Sequence, residues 1–120
     1  MKIKKFKVDI YEWKVTLMET NSVKDFKKVK KQLLSIGVSK DDLDYVKTNL
    51  SRVNGGDHFY HSNRKESILI LYRMTSKKQR INILCHEKRH LEDRIKEFCH
   101  LGGTIEPLGY LAGYLGKMLI

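Results

Sequence analysis

Apolar and polar residues alternate along residues 5–18, with Phe6, Val8 and Ile10 in one phase and Tyr11, Trp13, Val15 and Leu17 in the other. A period of two predicts a strand, and the one-residue slip predicts a bulge or bend near residues 10–11. The period then lengthens. Ser22 followed by Asp25 forms a capping-box pattern, and Phe26, Val29, Leu33 and Leu34 make the apolar stripe of a helix that Gly37 ends. Ser39 with Asp42 opens a shorter helix through Leu43, Val46 and Leu50, which Asn54-Gly55-Gly56 breaks. Two strands follow at 58–62 and 67–74, joined by the polar turn Asn63-Arg64-Lys65. The second is nearly continuous Ile-Leu-Ile-Leu-Tyr, which predicts cover on both faces. Ser76 with Gln79 starts a long helix predicted to run to about Leu101, where Gly102 and Gly103 stop it, and a last helix begins between Thr104 and Pro107.

These elements fit one α+β domain spanning residues 1–120, because single domains usually run to roughly 100–150 residues. Apolar residues at 41% and charged residues at 32%, with one Pro, exclude collagen-like and wholly disordered classes. No apolar run approaches the ~18–20 residues of a membrane span, and the lysine-rich start lacks the apolar core of a secretory signal, so a cytoplasmic location is expected. Cys85 and Cys99, fourteen residues apart in one helix, are too distant to bridge and read as buried thiols.

The net charge of +10 would suit nucleic acid or an acidic partner, but it is unevenly spread. Residues 1–31 carry ten basic and four acidic side chains and residues 63–80 carry six and one, whereas residues 81–120 are balanced at five each. A basic binding module is therefore an alternative function, ranked second because a charge run is most often a solvated face and no aromatic-basic interleaving accompanies it.

The balanced segment holds the chemistry. His86-Glu87-Lys88-Arg89-His90 is an HExxH motif inside a predicted helix. Histidines four residues apart lie about 40° apart around the axis, so both rings leave one face and can hold one zinc ion. Glu87, about 100° from His86, can act as general base toward the water that the metal activates. Two surface histidines beside an ion-paired glutamate are the plainer reading of the same residues. A catalytic zinc needs a third protein ligand. The extended motif with glycine and histidine three and six residues further on is absent, since Asp93 and Lys96 stand there. Glu106, in the first turn of the last helix and sixteen residues beyond His90, is the better candidate, with His100 next. Gly109, Tyr110 and Gly113 share the helical direction of Glu106, which predicts a close crossing of the two helices on that face. Leu108, Leu111, Leu115 and Met118 form the opposite, core-facing side. Asp93, one turn after His90, can orient a ligand imidazole or pair with Lys96 or Arg89. A structural zinc site is a weaker third reading, because Cys85 points about 100° away from His86.

Taken together, His86-Glu87-x-x-His90-x-x-Asp93, the Gly102-Gly103 pair and Glu106-x-x-x-Tyr110-Leu111-x-Gly113-Tyr114 resemble a small gluzincin-type zinc metallopeptidase, similar to the compact single-domain HExxH proteins of phages and mobile elements. The match covers residues 83–115; upstream only the strand-strand-helix order agrees. The resemblance implies a small zincin-like fold: an N-terminal strand and helices, a β-hairpin packed on a long active-site helix, and a C-terminal helix crossing it. It implies Zn2+ as cofactor, His86, His90 and Glu106 as its ligands, Glu87 as the residue that activates water, and a peptide or protein as substrate. It also gives the strand at 58–62 the role of an edge that pairs with substrate, so that His58, Phe59, Tyr60 and His61 line the cleft. Tyr110, ahead of Tyr114, is the tyrosine expected to donate to a developing oxyanion, with aromatic packing the plainer role for Tyr114. Lys88 and Arg89 depart from the pattern, which usually has uncharged residues there, and Lys88 projects toward the apolar stripe, where its stem can lie on apolar surface with the amine in water.

Overall fold

The computed structural model describes residues 1–99 and 105–120, the side chains of residues 105–108 excepted. His100, Gly102 and Gly103 lie outside the described residues. The chain forms a mixed α and β domain in which a four-stranded sheet lies between two helical layers. Strands β1 (Lys2–Val8), β2 (Trp13–Thr20), β3 (Gly55–His61) and β4 (Glu66–Tyr72) stand in the order β1-β2-β4-β3. The β1–β2 and β3–β4 pairs are antiparallel, and β2 runs parallel to β4.

The alternation at the start of the chain is therefore a hairpin and not one bent strand. The change of phase is where the chain reverses, through a single 3-10 turn at Asp9–Tyr11 and a left-handed Glu12 at φ 52°. Ile10, which the alternation placed beside Phe6 and Val8, is 80% exposed at the tip.

Between β2 and β3 run α1 (Phe26–Ser35) and α2 (Lys40–Asn49). Both expected caps form: Ser22 and Asp25 make a reciprocal capping box, and the Ser39 hydroxyl accepts from the Asp42 amide. Gly37 follows α1 at φ 78°, a conformation that glycine adopts without steric cost. Val29, Leu33, Ile36, Leu43, Val46 and Leu50 pack on Met18, Ile68, Ile70 and Tyr72 of the sheet, while Leu34 is exposed. On the opposite face, α3 (Lys77–Phe98) and α4 (Ile105–Leu119) bury Leu84, Leu91, Ile95, Leu111, Leu115 and Leu119 against Trp13, Val15, Leu17, Leu69 and Leu71. β4 is thus covered on both faces, as its unbroken apolar run requires, and every residue from Ser67 to Tyr72 is buried.

On α4 the Leu111 and Leu115 side faces the core as expected, but the close crossing expected on the glycine face does not form. Gly109 and Gly113 are exposed, and a Cβ on either would meet nothing within 4 Å. Burying the Leu111, Leu115 and Leu119 row removes far more apolar area from water than a glycine face can, and that row sets which side of α4 turns inward. The close glycine is Gly116, where an added Cβ would stand 3.7 Å from the stem of Lys88. Lys88 keeps its amine 2.6 Å from Glu92 one turn on, so the stem is packed and the charge paired.

Candidate metal and catalytic site

α3 is capped by the Ser76 hydroxyl, which accepts from the Gln79 amide, and it carries the HExxH residues midway along its length. His86 and His90 are exposed, and their Nε2 atoms converge to 3.0 Å with the rings nearly perpendicular at 86°. Without a cation, one Nε2–H donates to the other ring. Two imidazole nitrogens on one tetrahedral zinc, each about 2.0–2.1 Å from the metal, would stand roughly 3.3 Å apart. The observed pair needs a shift of only tenths of an ångström to hold such an ion, so the two donors fit it. Among the described residues no group of three His, Cys, Asp or Glu side chains is placed to hold a metal. Glu106 is helical, and its side chain lies outside the described residues.

Glu87 faces the sheet and is only 4% exposed. It fits because β3 offers a glycine at the contact: a Cβ on Gly56 would come within 3.0 Å of Glu87 Cγ, 3.1 Å of its Oε1 and 2.7 Å of Ile83 Cγ2. The carboxyl accepts no hydrogen bond from the described residues. Burial, and then the negative charge of Asp57, push it up from the ordinary 4.5 to about 7. Asp57 sits next along β3 and is held on the other face of the sheet, accepting from Tyr72 Oη at 2.6 Å and Asn49 Nδ2 at 3.0 Å.

β3 is an edge strand, as the resemblance implied, with no strand beyond it among the described residues. Alternation divides the four expected cleft residues between its faces. His58 and Tyr60 lie on the α3 side, with the Arg94 guanidinium 4.4 Å from the centre of the Tyr60 ring. Phe59 packs in the α1–α2 core, and the His61 ring lies toward Gly37 and accepts at Nδ1 from the Arg64 amide. Of the four, His58 is the one that feels the charge of an HExxH residue. Burial first, then the charges of His90 and Arg94, lower it from 6.5 to about 3, so its ring is neutral. Its Nε2 lies 2.9 Å from Ser67 Oγ, which also accepts from Trp13 Nε1 at 2.9 Å. Tryptophan can only donate, so Trp13 occupies one lone pair of the buried Ser67 hydroxyl, which keeps its own hydrogen and a second lone pair for His58 Nε2.

The remaining expected site residues stand apart. Asp93 is exposed and, among the described residues, neither accepts from a histidine ring nor pairs with Arg89 or Lys96. Tyr110 is 75% exposed in an open concavity shared with Gly109, Gly113, Tyr114 and Lys117. Tyr114 donates to the Lys7 carbonyl at 2.8 Å beside Phe6, a packing role. Cys85 is exposed and Cys99 half-buried, both as free thiols. Sequence reasoning missed Gly56, Ser67, Trp13 and Arg94. Only Ser67 carried a local signal, as a hydroxyl at the head of an apolar run.

No helix among the described residues is long and apolar enough to cross a membrane. No family model, curated protein or solved structure matches the chain.

Proposed function

We propose that this protein is a zinc-dependent peptidase of the gluzincin type, hydrolysing peptide bonds of an extended substrate. The observation that carries the reading is the convergence of His86 and His90 Nε2 to 3.0 Å with a buried, near-neutral Glu87 one residue away, beside the open edge of β3. His86 and His90 would hold the metal, with Glu106 as the third donor that the resemblance implies. A zinc ion bound there would supply the Lewis acidity that polarises a carbonyl and acidifies water. The protein's own part is proton transfer and positioning. A carboxyl titrating near 7 is matched to taking a proton from water and returning it to the departing amine at neutral pH. The unpaired edge of β3 offers main-chain donors and acceptors to an extended peptide, and Tyr60 under Arg94 flanks that edge.

Elemental analysis after zinc reconstitution, combined with peptide hydrolysis, tests the proposal. One zinc per wild-type chain is expected, with loss of zinc in His86→Ala and Glu106→Ala. Glu87→Gln should keep its zinc and lose roughly 100- to 10,000-fold in turnover. A wild-type chain that takes up no zinc, or a Glu87→Gln protein that still hydrolyses peptide, overturns the reading.

A further inference from the structure

A group of this chain's basic side chains lies across the sheet from the HExxH residues. The basic segments 1–31 and 63–80 are far apart in sequence, yet the fold brings parts of both to one end of the sheet. There, between β1, the C-terminal end of α1 and the β3–β4 turn, lies a cavity of about 460 Å³ lined by Lys5, Lys7, Lys14 and Arg64, with Glu66 its one acid among the described residues. Glu66 is shared, 3.7 Å from Lys14 Nζ and 3.4 Å from Arg64 Nη2. Lys5 reaches across to Gln32 of α1 at 3.0 Å, and helical spacing puts the exposed Lys28 on the same face as that glutamine.

Two features separate this cluster from a merely solvated face. Lys7 stands directly opposite Lys14 in the β1–β2 register, an arrangement of like charges that opposes folding. Lys5 and Lys7 also share a face of β1 one two-residue repeat apart, about 6.6–6.8 Å, and line the groove together with Lys14 and Arg64. A polymer with one fixed negative charge per unit complements such a cluster. A peptide whose acids sit at irregular intervals does so less well. We propose that this groove binds a nucleic-acid strand through its phosphates, without reading its bases.

The test is fluorescence anisotropy of a labelled mixed-sequence single-stranded DNA oligonucleotide titrated with the intact 120-residue chain at several salt concentrations. Four lining cations predict a slope of log K against log salt of about −3, or about a 50-fold loss of affinity from about 50 mM to about 200 mM salt. The double reversal Lys5→Glu/Lys7→Glu should weaken binding at least tenfold and make the slope shallower by about 1.4, as expected for two lost phosphate contacts on a single strand. Lys77→Glu/Lys78→Glu, with the same change in net charge at the start of α3, should bind as the wild type does. Should the first reversal unfold the chain, Lys7→Gln carries the test with a slope change of about 0.7 and a melting temperature no lower than wild type, because it removes the Lys7–Lys14 opposition. Equal losses in both reversals, or an unchanged slope in Lys7→Gln, overturn the proposal. So does displacement of the oligonucleotide by inorganic phosphate or by a polyglutamate peptide at the same concentration of negative charge. Zinc content should be the same in all these variants.

Discussion

Glu87 is held in a position that costs the metal-free fold stability at the pH where the proposed chemistry would run. The folded protein raises its carboxyl from 4.5 to about 7, so between those values the folded state binds the proton more tightly than the unfolded chain does. Stability therefore falls as pH rises through this window, and the loss is complete only above the folded value. At about 1.36 kcal/mol per unit, a change of this size corresponds to roughly 3 kcal/mol. Glu87→Gln keeps the shape and removes the titration. Its stability relative to wild type should therefore grow by about 3 kcal/mol between pH 4 and pH 8, on top of any constant offset from the amide. With an m-value of roughly 1.5 kcal/mol/M, the urea midpoint of the variant should gain about 2 M on the wild type over that range. The assay is urea unfolding followed by circular dichroism in EDTA at unit steps of pH. A difference between the two proteins that stays flat with pH would show that the carboxyl does not titrate inside a buried site, and the assignment of Glu87 as a near-neutral base would fall with it.

His58 should act with the opposite sign. Its folded value lies near 3 against 6.5, so stability is full above about pH 6.5 and falls by about 3 kcal/mol between pH 7 and pH 4; this slope should vanish from urea midpoints of His58→Gln. Gly56→Ala should destabilise by about 1–3 kcal/mol in thermal melts, because its Cβ would stand 2.7 Å from Ile83 and 3.0 Å from Glu87, and peptide hydrolysis should fall as the carboxyl is displaced. Ser67→Ala strands the buried Trp13 Nε1–H and should cost about 1–3 kcal/mol, whereas Ser67→Thr should recover part of that loss.

What could be read in advance was local in the chain. The three capping serines, the left-handed Gly37, the polar turn at 63–65 and the two-faced burial of β4 each depend on residues within a few positions of one another. The β1–β2 hairpin escaped because Asp9-Ile10-Tyr11-Glu12 holds no Gly, Pro or Asn, and its left-handed position falls on Glu12. The core-facing side of α4 at Leu111 and Leu115 was legible from its periodicity, whereas the close crossing expected at Gly109 and Gly113 was not formed. Motif spacing gave the histidine pair correctly because the helix itself sets that geometry. The burial of Glu87 needed Gly56, thirty-one residues earlier in the chain, and the Trp13–Ser67–His58 chain joins three segments across β2, β4 and β3. Such contacts exist only once the sheet order is known.

Two positions in this domain work against its folding. A carboxyl without a hydrogen-bond partner among the described residues is pressed onto the sheet at Glu87, and two lysines face each other at Lys7 and Lys14. A leucine at 87 would continue the row of Leu84 and Leu91, and an acid at 7 would answer Lys14, so each conflict has a simple remedy that the chain does not use. Natural sequences carry such local contradictions mainly where function requires them. The two conflicts lie on different parts of the molecule, one against the edge of β3 under α3 and the other at the end of the sheet beside α1. Relieving them together should therefore add their stability gains, because they share no partner and no charge that would couple them. An additive gain with separate losses, of hydrolysis in Glu87→Gln and of strand binding in Lys7→Gln, is the outcome expected of two independent sites. A strongly non-additive gain would instead make them parts of one.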